Sequence, residues 1–364
     1  MRIKKIHIQN YKSLVDFKLE DIKPFTAFVG PNASGKSNFF EALEFLNYLI
    51  NFNFTAPDLF GGLESIVSYD LNKTNFWDDL SSVTFELLFD DEIYLNSHLD
   101  FNIENPNKLL GIGHSSPDTY FNHSTTINTL EIQDKLKRLA FIKKHKSITG
   151  LYNKGLDIFA DSFTKIFVNK LDLDRVPVNN KLKSSGKNLE EIIAKIFQDQ
   201  NKSKDFIEWL RVLVPEFKDI VVKQSNIDGS FAFEVIEKSG KKAFPVRLLS
   251  DGTKNILTLM AAVYQQEQQF LCIEEPENGL HPQAIELLVD FFREKCEGEN
   301  GHHIWLNTHS PTLIRCLEID EVITVNKING RTIAKQNNKL NNANIKTDEA
   351  WLSNALGGGV SWSK

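Results

Sequence analysis

Residues 28–43 read FVGPNASGKSNFFEAL. An apolar run ends at Gly30, a turn of small residues follows, and an amphipathic helix opens near Lys36. Gly30, Pro31, Asn32, Ala33, Ser34, Gly35, Lys36 and Ser37 fit G-x-x-x-x-G-K-[ST] in full. Such a loop curls so that successive N–H groups point inward at phosphate oxygens. The following helix adds its positive end. Lys36 is expected to reach the β- and γ-phosphates and the Ser37 hydroxyl to ligate Mg²⁺. The plainer alternative is a helix-capping turn, but the position between a strand and a helix favours phosphate.

Downstream of the loop the pattern is α/β. KSNFFEALEFLNYLI (36–50) repeats apolar positions at helical spacing. Upstream, 2–9 and 15–20 alternate in period two, as two antiparallel strands do. Residues 82–89 and 92–95 form a hairpin around Asp90-Asp91, and 218–237 another around Asp228-Gly229. After 245, helices are expected at 252–266 and 282–295 and buried strands at 269–274 and 303–307. That alternation implies a parallel sheet covered on both faces. A last hairpin turns at Asn329-Gly330.

Between about 101 and 130 no period emerges, and helices dominate from 131 to 213, with 131–146, 188–199 and 203–213 the clearest. The expected organisation is a first half of an α/β domain over 1–100, a mostly helical insertion over 101–217, a second half of that domain over 218–336, and a flexible or partner-docked tail over 337–364.

Three further stretches carry chemistry. QFLCIEE (269–275) is a short apolar strand ending in two carboxylates. Glu274 is suited to hold a Mg²⁺ hydration shell, and Glu275 to polarise an attacking water. Two surface glutamates after a strand would be the bland explanation. LSDGTK (249–254) opens an apolar helix, with Ser250 as a good N-cap and Gly252 allowing close backbone approach. It is either a capped helix alone or an anion site. NTHSP (307–311) places His309 at the end of a strand, where ligands bind in open α/β sheets. A buried structural histidine is the alternative.

Composition bounds the rest. The chain has 364 residues, 41% hydrophobic and 25% charged, an ordinary globular balance for about two domains. Phe is abundant (27) and Met scarce (2), so aromatic packing should dominate. A net charge of −6 argues against a globally basic nucleic-acid binder. The cysteines, Cys272, Cys296 and Cys316, give neither metal spacing nor a disulfide framework. No stretch is long and apolar enough for a signal peptide or a membrane span, so a cytoplasmic protein is expected.

In their order, these pieces resemble the ABC-type ATPase heads of the SMC, RecF and OLD (overcoming lysogenization defect) families. Gln9-Asn10-Tyr11-Lys12-Ser13 is similar to their strand-end motif, Gly30 to Ser37 to Walker A, and LSDGTK to the ABC signature. IEEPENGLHP resembles the OLD-type Walker B and D-loop, and NTHSP the switch-histidine motif. The resemblance covers about 1–95 and 240–330. It implies an α/β fold: an ABC-type P-loop NTPase head with a mixed sheet, an N-terminal antiparallel β-subdomain and a mostly helical insertion.

The resemblance also implies ATP and Mg²⁺ as cofactors, with Glu275 as general base and His309 as γ-phosphate sensor. Two heads would dimerise, or assemble further, around ATP, with Ser250 and Gly252 of one facing the nucleotide of the other. The D-loop, Glu277 to His281, would cross the seam. No Q-loop glutamine can be placed. The insertion is too short for an SMC coiled-coil arm. The residues after Pro311 are too few for the Toprim nuclease domain of OLD proteins, which points to a stand-alone, AAA-type OLD-like ATPase. Its expected output is a separate effector, a nuclease or toxin, in anti-phage defence. The alternatives are a RecF/SMC-like DNA repair or chromosome-maintenance ATPase and a slowly hydrolysing scaffold. DNA is a further candidate partner through Lys135, Lys137, Arg138, Lys143, Lys144 and Lys146, though a solvated helix face explains those residues too.

Overall fold

The computed structural model describes residues 3–52, 56–68, 82–89, 93–103, 119–129, 159, 161–167, 181–224, 231–240, 243–337 and 346–356. The chain divides into two compact units, Met1–Lys23, Gly30–Phe163 and Ile323–Gln336 in the first, and Pro24–Val29, Thr164–Val322 and Asn337–Lys364 in the second.

The first unit is built on antiparallel pairing. Strands β1 (Ile3–Tyr11) and β2 (Leu14–Glu20) form a hairpin in register Tyr11↔Leu14. Their alternating burial explains the period-two sequence: Ile6, Ile8, Phe17 and Leu19 turn inward. Strands β4 (Ser82–Phe89) and β5 (Ile93–Ile103) extend the sheet beside β1, and β6 (Thr119–Thr129) closes it, in the order β2-β1-β4-β5-β6. Helix α1 (Lys36–Phe52) belongs to this unit, with the short helices α2 (Ala56–Leu59) and α3 (Leu63–Ile66). Its core is aromatic, as the Phe count implies. Tyr11, Phe45 and Phe85 meet with ring centroids 5.5 to 6.1 Å apart, and Phe17 meets Phe39 at 5.0 Å.

The second unit is the α/β layer. Strands β3 (Phe25–Val29), β12 (His303–Thr308), β11 (Phe270–Glu274) and β7 (Phe163–Phe167) lie side by side in that order. Strand β12 runs parallel to both β3 and β11. Every residue of β3, β11 and β12 is buried, as strands covered on both faces require. The helices are α4 (Leu189–Ile196), α5 (Gln200–Leu213), α6 (Asp251–Tyr264), α7 (Pro282–Lys295), α8 (Pro311–Arg315) and α9 (Thr347–Leu352). Local signals set their starts. Asp199 caps α5 by accepting from the Asn201 and Lys202 amides, and His281 caps α7 just before Pro282. A three-stranded sheet, β8 (Phe217–Gln224), β9 (Phe231–Glu237) and β10 (Ala243–Pro245), completes the unit.

The last hairpin, β13 (Val322–Ile328) and β14 (Arg331–Gln336), turns at Asn329-Gly330, both with positive φ (49° and 80°). Two such residues suit the primed turn that matches strand twist. Parallel and antiparallel pairs are both present, so the expected mixed-sheet α/β class holds. No disulfide joins the described cysteines, and no helix among the described residues is long and apolar enough to cross a membrane.

Three stretches differ from the sequence reading. Strand β5 continues to Ile103, and β6 pairs with it from Ile93↔Thr129 to Ile103↔Thr119, inside the stretch without a period. TYFNHSTTINT has strand-forming residues but no apolar alternation, and periodicity detects only strands with one buried apolar face. FTKIF lies in the stretch where helices are expected to dominate, yet it forms strand β7. The described part of 101–217 therefore mixes strands with helices α4 and α5. Third, residues 347–356 do not hang free: Ala350 and Leu356 are buried in the second unit's core, and Trp351 packs against it. The basic helix expected at 131–146, with its DNA-contact candidates, lies outside the described residues.

Candidate functional site

The phosphate-loop motif occupies the first unit. Gly35 adopts φ +101°, and a Cβ there would lie 1.9 Å from Thr332 Oγ1. Only glycine fits both demands. Ala33 is also left-handed, at φ 62°. The loop is stitched from behind: Thr332 Oγ1 meets Ser13 Oγ at 2.6 Å and donates to the Ser34 carbonyl at 3.1 Å. Asn38 Nδ2 donates to Ser13 Oγ at 2.8 Å. The strand-end motif around Ser13 and the distant hairpin thus hold the loop's curl. Ser13 was visible as part of a motif; nothing in the sequence marked Thr332.

Lys36 is buried, and its Nζ donates to the Gly30 and Pro31 carbonyls at 2.7 and 2.9 Å. Ser37 is exposed in the first turn of α1. The cradle therefore combines a fixed backbone curl, a lysine folded over its own loop and a helix start, which suits a polyphosphate.

The remaining candidates lie in the second unit. Strand register aligns Val29 with Thr308, and Glu274 with Asn307, so β3, β11 and β12 end together. The residues following those ends are Gly30, Glu275 and His309. Glu275 turns away from the strand with φ 49°, and its amide donates to the Asn307 carbonyl at 2.8 Å. A left-handed glutamate costs about 1–3 kcal/mol of strain, a cost that collects at functional sites. The turn aims its carboxylate at the neighbouring strand end. Oε1 lies 3.3 Å from His309 Nδ1, and Oε2 accepts from Asn278 Nδ2 at 2.9 Å. Glu275 and His309 are thus brought together.

Asn278 is held in turn, since its carbonyl accepts from Asn255 Nδ2 of α6 at 2.7 Å. That helix starts at the Ser250 cap, where Ser250 Oγ accepts from the Thr253 amide. A Cβ at Gly252 would lie 2.6 Å from the Gly279 carbonyl. The signature-like turn therefore packs directly on the D-loop-like turn of the same chain. Ser250 itself is exposed. Asn255 and Asn278 were not singled out from sequence; the i, i+3 spacing of Asn278 from Glu275 was the available signal.

Glu274 is buried and paired with Lys165 of β7, Nζ to Oε1 3.1 Å. Lys165 was missed because a lone lysine in a short apolar strand carries no signal. Glu277 is also buried. It accepts from Thr308 Oγ1, which in turn accepts from the Ser310 amide at 3.0 Å. Burial holds the Glu277 carboxyl above the ordinary carboxylate range, against the opposing pull of the Thr308 hydroxyl. Its Oε2 is buried without a hydrogen-bond partner.

The chain is similar to several known proteins. A relative in Helicobacter pylori (strain ATCC 700392 / 26695), an ATP/GTP phosphatase, is 22% identical over 354 residues, covering 88% of each chain. Among solved structures, the Smc head bound to the C-winged helix domain of ScpA superposes with a TM-score of 0.55 at 14% identity, over 92% of this chain and 97% of that one. A Smc head with an extended coiled coil, bound to the C-terminal domain of ScpA derived from Pyrococcus furiosus, gives 0.55 and 14%, over 92% and 96%. At such identity the likeness concerns the fold, which is that of an SMC-head-like P-loop domain. The family described as "AAA domain, putative AbiEii toxin, Type IV TA system" matches residues 25–315. That span holds the phosphate loop, both strand-end acids and the switch-like histidine, and the chain belongs to this AAA-domain family.

Proposed function

We propose that the protein binds and hydrolyses ATP with Mg²⁺, dimerises around the nucleotide, and uses that cycle to gate a separate effector in anti-phage defence. The observation that carries the catalytic part is Glu275, turned out of its strand and clamped between His309 and Asn278. In this reading Glu275 takes the proton of the attacking water and His309 contacts the transferred phosphoryl group. Lys36 exchanges its loop carbonyls for phosphate oxygens. The Gly30–Ser37 backbone cradles the phosphates.

Mg²⁺ takes hard oxygen donors, binding through one or two protein oxygens plus substrate phosphates rather than through an all-protein cage. Ser37 Oγ and Glu274 are the oxygens in question. When bound, the metal supplies positive charge that stabilises the transferring phosphoryl group. The exposed Ser250, and Gly252 two residues on, would face the nucleotide of a second copy, and the Glu277–His281 turn would cross the seam.

The relative's phosphatase name supports hydrolysis, and the family's description as a putative toxin of a toxin–antitoxin system is compatible with a defence role; the separate cytoplasmic nuclease or toxin is what this reading expects as effector. The OLD-like motifs point the same way. The test uses purified protein. Lys36→Ala should abolish ATP binding, and Glu275→Gln should bind ATP, cease turnover and accumulate as a dimer on sizing columns. Wild-type turnover by Glu275→Gln would overturn the catalytic assignment. Stimulation of turnover by duplex DNA, with no co-purifying effector, would favour the repair reading instead.

A further inference from the structure

Glu274 has a partner that ATP hydrolysis does not use. Strand β7 lies beside β11, and Lys165 Nζ sits 3.1 Å from Glu274 Oε1, with both side chains largely buried. A buried carboxylate without a cation carries a heavy desolvation cost. Here the chain supplies the cation itself. The consequence falls on any divalent ion that approaches Glu274. A fixed positive charge at about 3 Å offsets most of the carboxylate's attraction for a second cation, and more strongly out of water than in it. A metal ion that comes with phosphates brings its own negative charge and overcomes this opposition, whereas a bare ion does not.

We infer that Lys165 is a specificity-determining residue: it keeps Glu274 from holding a free divalent cation, so that the site takes metal only together with nucleotide phosphates. This inference rests on the reading above, in which Glu274 faces the metal. It gives β7 (Phe163–Phe167) a direct part in nucleotide chemistry. It also separates Glu274 from Glu275, whose partners are His309 and Asn278 rather than a permanent cation.

The test measures Mn²⁺ binding to the full chain by the loss of the free-ion electron paramagnetic resonance signal, with and without a non-hydrolysable ATP analogue. Wild type and Lys165→Arg should bind Mn²⁺ well only with the analogue. Lys165→Met should bind Mn²⁺ without it, at a concentration about tenfold below that needed by wild type. Should Lys165→Met prove insoluble, Lys165→Gln removes the charge while keeping a donor to Glu274, and carries the same expectation. Glu274→Gln is the control on the underlying reading and should weaken Mn²⁺ binding in the presence of the analogue. If Glu274→Gln does so but the neutral Lys165 variants match wild type without nucleotide, the inference on Lys165 fails alone. If Glu274→Gln leaves Mn²⁺ binding intact, the metal reading of Glu274 fails and takes the inference with it.

Discussion

Single residues at this site are held in conformations that their neighbours impose. Gly35 is the clearest case, with φ +101° and Thr332 Oγ1 where a Cβ would stand. Gly35→Ala should cost about 2 kcal/mol from strain alone and abolish ATP binding, as read by urea unfolding and a fluorescent ATP analogue. Adding Thr332→Ala should recover part of the stability but not the φ penalty. In the proposed mechanism Asn278 works through Glu275, to whose Oε2 it donates. Asn278→Ala frees one oxygen of Glu275 and should lower kcat for ATP about 10- to 100-fold with little change in KM. An unchanged kcat would show that His309 alone orients the carboxylate. The phosphate loop and both strand-end acids were legible in sequence because their chemistry fixes residue type and local spacing. Lys165, Thr332 and Asn255 were not, because each acts from a distant part of the chain.

Elements show a similar division. Strands with both faces buried (β3, β11, β12) and capped helices (α5, α6, α7) are readable, since local patterns encode them. Strands β6 and β7 are not: one lacks an apolar face in its pattern, and the other is too short to separate from a helix by periodicity. Thr308 makes a prediction at this scale, because it joins the end of β12 to two turns, through Glu277 and the Ser310 amide. Thr308→Val keeps the shape but leaves the buried Glu277 carboxyl without its donor. It should destabilise the protein by about 1–3 kcal/mol, measured by chemical denaturation. Thr308→Ser, which keeps the hydroxyl, should cost less.

Across the whole molecule, stability also depends on groups outside the phosphate-loop motif. His302 is buried, and its Nδ1 accepts from the Gln269 amide. Burial pushes its pKa down to about 4, against an ordinary value of 6.5, helped by the nearby Lys295 charge. The neutral ring is therefore fully accommodated above pH 6.5. Below that the unfolded chain takes up the proton first, so stability falls as pH drops from 6.5 towards about 4. The loss should reach about 3 kcal/mol. Urea midpoints across this range should show it, and His302→Asn, which keeps an acceptor, should flatten that part of the curve. Leu356 is 1% exposed in the second unit's core. Leu356→Ala should cost about 2 kcal/mol or more, read as a lower urea midpoint.

The sequence by itself determined the α/β class, the phosphate-loop motif, the two glutamates at a strand end and the histidine at another, because those follow from local pattern and from chemistry that demands particular residue types at fixed spacing. Only the tertiary structure decided what surrounds them: Thr332 behind Gly35, Asn278 and His309 on Glu275, Lys165 on Glu274, and the docking of 347–356. Those pairings join residues remote along the chain, and such contacts exist only once strand order and register are set, which no local pattern specifies.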